Sequence, residues 1–124
     1  MDTGAVRPSS IHHVNFVVRD LDEACTRFER ELGLDPFEVV DHVARGAHVA
    51  RTRIGDSWLV LVAPYDPESV PGRHLKEHGE GFFLLSLGVD ALKDARAGIL
   101  DWRVKDVAAI HGALFQFTES ADSD

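Results

Sequence analysis

Apolar residues alternate or run together along this chain in short blocks that punctuation residues separate cleanly. The first block, "IHHVNFVV" (residues 11–18), is apolar and β-branched enough to predict a strand covered on both faces. The next stretch, "DLDEACTRFERELG", changes period. Asp20 and Glu23 stand at capping-box spacing, Ala24, Phe28 and Leu32 fall on one helical face, and Gly33 waits where a helix ends in a left-handed residue. A helix is therefore expected here. Three shorter runs, "FEVVDH" (37–42), "AHVARTRI" (47–54) and "WLVLVA" (58–63), are separated by the turn-prone "ARG" and "GDS" and predict a meander of strands. Residues 11–63 thus spell β-α-β-β-β.

"PYDPESVPG" follows as a proline-rich connection, and "RHLKEHG" as a short helical turn stopped by Gly79. The texture of the opening strand then returns in "FFLLSLGV" (82–89), which suggests a second copy of the module. That copy is shortened. "DALKDARAG" is too brief for a helix like the first, and "ILDWRVKDV" and "HGALFQFTE" are expected to resume as strands.

Composition narrows the function classes. The 124 residues make one domain's worth of chain, with 44% hydrophobic and 27% charged residues, as in folded globular proteins. Acidic residues outnumber basic ones 21 to 13, for a formal charge of −8, and no basic cluster interrupts them, so neither nucleic acid nor an anionic membrane is an expected partner. No apolar run is long enough to cross a bilayer, the first ten residues lack the apolar run of a signal peptide, and the single cysteine, Cys25, cannot form an internal disulfide. A cytoplasmic location is the expectation. Residues 1–10 and 120–124 read as solvated tails around a single domain spanning 11–119.

The order of these blocks resembles the vicinal oxygen chelate superfamily, which includes glyoxalase I, methylmalonyl-CoA epimerase, extradiol dioxygenases and bleomycin-type resistance proteins. "IHHVNFVVRDLDEACTRFERELGL" looks like its opening strand and helix, and "GDSWLVLVAPYDPES" like the strand and proline turn closing its first module. "KEHGEGFFLLSLGVD" resembles the epimerase-type "GEG" start of the second module, and "HGALFQFTE" its last strand. The resemblance implies an α+β fold of two βαβββ modules (11–64 and 80–119) forming a cupped mixed sheet, the second module with its helix largely missing.

Metal-dependent members of that family hold a divalent ion with one side chain from each of four strands. Carried over, those positions fall at His13, Val60, Leu84 and Gln116. Valine and leucine have no lone pair to give, so no metal and no other cofactor is expected. If Val60 and Leu84 face inward as their family counterparts do, period-two alternation adds Trp58, Val62, Phe82, Ser86, Leu114 and Thr118 to one lining, with Asn15 beside His13. That lining is mostly apolar with a few polar groups, as in sites for organic molecules.

Two expectations follow for function. One is a metal-independent protein that binds a small, mostly apolar or aromatic organic molecule, for sequestration or for a biosynthetic rearrangement. The other is an isomerase or lyase of the epimerase type, with His13 as general base and Gln116, Asn15 or Ser86 holding an oxygen. A non-catalytic dimerisation module is a further alternative. A homodimer is expected in each, because members of the family pair modules across chains.

The remaining histidines have plainer readings. His74, Glu77 and His78 form an H-x-x-E-H pattern like that of inverted zinc peptidases. The helix ends at Gly79 and no third ligand follows, which favours solvated helix histidines. His12 and His13, as strand neighbours, are expected on opposite faces. His42 and His48 flank a loop, and His111 precedes Gly112 at a turn.

Overall fold

The computed structural model describes residues 8–42, 46–89 and 108–119. In chain order these form β1 (Ser10–Val17), α1 (Leu21–Leu32), β2 (Glu38–His42), β3 (Ala47–Ile54), β4 (Ser57–Pro64), α2 (Val70–His78), β5 (Gly81–Val89), β6 (Ala108–Ile110) and β7 (Ala113–Glu119). The fold is α+β, and the expected β-α-β-β-β order of the first half is present. The second-module stretches "DALKDARAG" and "ILDWRVKDV" lie outside the described residues.

The chain divides into two compact units. One is Val14–Phe83; the other joins the described residues up to His13 to those from Leu84 onward. Within Val14–Phe83 the hydrogen-bonded strand order is β2-β3-β4-β1, and within the other unit it is β1-β5-β7-β6. β2, β3 and β4 are antiparallel neighbours, whereas β5 and β7 run parallel, which makes the pairing mixed.

Local chemistry explains α1. The Asp20 side chain accepts the Glu23 N–H at 3.1 Å, satisfying one of the orphan donors at the helix start, and Gly33 closes the helix in the left-handed region at φ 68°. Its core face lacks one of the expected residues. Leu21, Ala24, Cys25 and Phe28 pack on the sheet, but Leu32, in the last turn, is exposed. Beyond the glycine reversal Leu34 turns back into the cluster and does what Leu32 was expected to do.

The second helix begins earlier than its sequence suggested, inside the proline-rich connection. Ser69 caps it by accepting the Gly72 N–H at 3.1 Å, and Pro71 occupies the first turn, where a missing N–H costs nothing. Gly72 is required by close approach, since a Cβ there would sit 2.2 Å from the Asp66 carbonyl oxygen. No helix among the described residues is long and apolar enough to cross a membrane.

Candidate functional site

The two faces of the strands in Val14–Phe83 differ in kind. Leu59, Leu61 and Ala63 of β4 and Val14, Phe16 and Val18 of the β1 segment pack with α1 into one apolar cluster. Alternation sends the intervening residues to the face opposite α1. There Trp58, Val60 and Val62 of β4 meet Ala47 and Val49 of β3 in a second cluster. Asn15 and Val17, set between the helix-side residues of β1, share that face.

The β3–β4 register is fixed by the two-residue Gly55-Asp56 turn, with Gly55 at φ 58° and Ile54 opposite Ser57. Counting back, Arg53 stands opposite Trp58 and Arg51 opposite Val60. Both guanidiniums lie on the indole, at 4.1 Å (Arg51) and 4.6 Å (Arg53) from a ring centroid. Arg51 faces Glu38 of β2 and donates its Nε–H to that carboxylate at 2.9 Å. Its side chain is only 13% exposed. Two polar atoms on this face are buried without a hydrogen-bond partner, Arg51 Nη1 and Asn15 Oδ1. The site expected from sequence contained Asn15, Trp58 and Val60 but neither arginine. The signal was available in the turn, because a two-residue loop dictates which β3 residues oppose Trp58 and Val60.

The other unit holds the remaining expected residues. His12 and His13 are 6% and 3% exposed, and their Nδ1 atoms lie 2.8 Å apart with the rings edge to face. Opposite strand faces were expected to keep them apart. The contact forms because Nδ1 is the ring nitrogen nearest the backbone, so two rings can diverge and still touch there. One Nδ1 carries the shared proton and the other accepts it.

On the parallel pair, Ser86 is the register partner of Gln116, and Gly88 of Thr118. The Ser86 and Thr118 hydroxyls are both buried and hydrogen-bonded to each other. Leu84 is buried two residues from Ser86, while Leu114 and Gln116 are half-buried on β7. The structure therefore groups Leu84, Ser86, Gln116 and Thr118 on the paired strands.

Phe82 does not join that lining. It is 46% exposed and packs edge-on to Phe16, a residue of the helix-side cluster. His74 is not simply solvated either: its Nε2 lies 3.2 Å from the Phe82 carbonyl oxygen, and its ring contacts both Phe83 and His78. That interaction ties α2 to β5 and occupies one ring nitrogen of the H-x-x-E-H pattern. His48 is exposed and stacks near Tyr65, while His111 and Gly112, both at positive φ, make the two-residue turn joining β6 to β7. Burial pushes the Cys25 thiol up to about 11, and Glu29 and Asp22 add to the shift, so this cysteine has the opposite of a nucleophile's environment.

As for a metal, Val60 and Leu84 are buried hydrocarbon, so the four positions implied by the resemblance provide donors only at His13 and Gln116. That set does not fit a divalent ion, which wants three or more protein ligands. Among the described residues no other group of three His, Cys, Asp or Glu side chains converges.

The strand and helix order, with this patterning of the strands, defines a glyoxalase-like class, and comparison gives the family. Residues 12–113 match the Glyoxalase/Bleomycin resistance protein/Dioxygenase superfamily, and the chain belongs to it. Among solved structures it is similar to methylmalonyl-CoA epimerase of Streptomyces coelicolor, a variant in complex with 2-nitronate-propionyl-CoA. That likeness has a TM-score of 0.78 at 21% identity over 94% of this chain and 100% of the other. It is similar also to methylmalonyl-CoA epimerase from Mycobacterium tuberculosis, with a TM-score of 0.73 at 23% identity over 98% of this chain and 94% of that one. No curated protein matches the chain in sequence.

Proposed function

We propose that this protein binds a small organic molecule with a mostly apolar or aromatic body, and that it does so without a divalent metal ion. The observation that carries the proposal is the pair Val60 and Leu84, buried hydrocarbon at two of the four positions where the family resemblance calls for metal donors. Trp58, Val60 and Val62 supply an apolar surface on the face opposite α1, with Asn15 as a polar group beside it. Mass spectrometry of bound metal, with and without added zinc, nickel, iron and manganese, tests it. Substoichiometric metal throughout is expected. One tightly held ion per chain would overturn the metal-free reading.

The epimerase relatives favour a second reading, in which the protein is an isomerase or lyase that removes a proton next to a carbonyl or thioester. Here His13, an imidazole buried against His12, is the base, and Gln116 holds the oxygen on which charge develops. His13→Ala separates the two. Under the binding reading, affinity falls modestly. Under the enzyme reading, turnover is lost while binding survives. Pairing with a second copy of the chain belongs to both readings and is checked by sedimentation of the purified protein.

A further inference from the structure

We propose that the ligand of the face opposite α1 is an organic monoanion, a carboxylate attached to an aromatic or acyl body, and that Arg51 is its anchor. This rests on the small-molecule reading above and names the class of molecule.

A guanidinium withdrawn from water is costly unless its N–H groups are all used. Arg51 is 13% exposed at the side chain, yet only its Nε is tied, to Glu38, and Nη1 is buried with no acceptor. Trp58 and Glu38 hold the guanidinium plane in place from two sides, so the group is oriented before anything binds. A planar, oriented guanidinium with a spare N–H is suited to a carboxylate oxygen.

Charge sets the valence of the head. Two guanidiniums, Arg51 and Arg53, share the indole, and one carboxylate, Glu38, offsets one of them. What is left is a single positive charge, which a monoanion neutralises and a dianionic phosphate would exceed, next to a repelling carboxylate. Asn15 supplies the second point of contact. It lies on the same face, two strands from Arg51, and its unpartnered Oδ1 accepts a hydroxyl or N–H at the far end of the ligand.

The test uses the full chain carrying Trp102→Phe, which leaves Trp58 as the sole indole. Its emission is followed during titration with 4-hydroxyphenylacetate, the corresponding neutral amide, phenylacetate and phenyl phosphate. The acid is expected to bind at least about tenfold more tightly than the amide, in line with a hydrogen bond to a charged group. Arg51→Met should erase that preference and Arg51→Lys should retain part of it. Asn15→Leu should make 4-hydroxyphenylacetate and phenylacetate equivalent.

Equal affinity of acid and amide for the unsubstituted site would overturn the anchor and leave the apolar-ligand reading standing. No binding of either would overturn both. Tighter binding of phenyl phosphate than of the acids would overturn the monoanionic head. Thermal melting without ligand guards against a folding defect. Arg51→Met should melt no lower than the parent, because it removes a buried orphan donor, and a clear fall would make Arg51 a structural tie rather than an anchor.

Discussion

The two faces of the Val14–Phe83 strands are built from the same backbone and do opposite things. On the α1 side Leu59, Leu61, Ala63, Val18 and Ala24 pack against helix and loop hydrocarbon, and the strand side chains in that cluster carry no polar atom. On the opposite side Ala47, Val49, Val60 and Val62 are equally buried, yet among them stand two arginines on a tryptophan and two polar atoms without partners. The first face is optimised for stability. The second keeps polar groups in a state that costs stability, and such arrangements gather where a ligand completes them. That contrast is what supports placing the proposed ligand on the face opposite α1.

Substitutions can break that contrast directly. The largest expected effect is on the helix side, where Leu61 is fully buried. Leu61→Ala should cost about 2–5 kcal/mol in denaturant unfolding. On the opposite face Arg51→Met should lie between no change and about 2 kcal/mol of stabilisation, because the orphan donor goes and the half-exposed Glu38 returns to water. If Arg51→Met proved as damaging as Leu61→Ala, the two faces would be alike and the contrast would fail.

Smaller effects sharpen the helix side. Asp20→Ala removes the side-chain acceptor of the Glu23 N–H and should cost about 1 kcal/mol, read as a lowered midpoint with an unchanged slope. Cys25 gives the smallest and most specific signal. Its thiol is raised from 9.0 to about 11 in the fold, so the folded state holds the proton more tightly than the unfolded chain does. That contribution is complete below pH 9 and drains away as the pH rises through 11. Cys25→Ala should therefore flatten the alkaline loss of stability over that window. At pH 8 the native thiol should react with iodoacetamide more slowly than in the unfolded chain, because a smaller fraction of it is thiolate.

Much of this was legible before any coordinates, and the parts that were not share a cause. α1 was readable because Asp20, Glu23 and Gly33 act within a few residues of one another, through contacts the chain makes with itself. The first-half strands were readable from β-branched runs bounded by turn residues, whereas β6 was not anticipated. Ser69 and Pro71 also spelled a helix start that the proline-rich surroundings concealed. Leu32 was misplaced because a helical face says which residues align, not where the sheet beneath them ends. Phe82 was assigned by counting in twos from Leu84, and it packs instead on Phe16. The His12–His13 contact escaped because opposite-face alternation describes Cβ directions, while Nδ1 lies close enough to the backbone to reach across.

By itself, then, the sequence determined the order of elements, the family and the absence of donors at Val60 and Leu84, because periodicity, capping and side-chain chemistry are properties of residues and their near neighbours. Only the tertiary structure decided that Arg51 and Arg53 lie on Trp58, and that Arg51 Nη1 and Asn15 Oδ1 are buried unpaired on one face. Burial and hydrogen-bond satisfaction belong to what surrounds an atom, and those surroundings are assembled from strands that meet only when the sheet has formed.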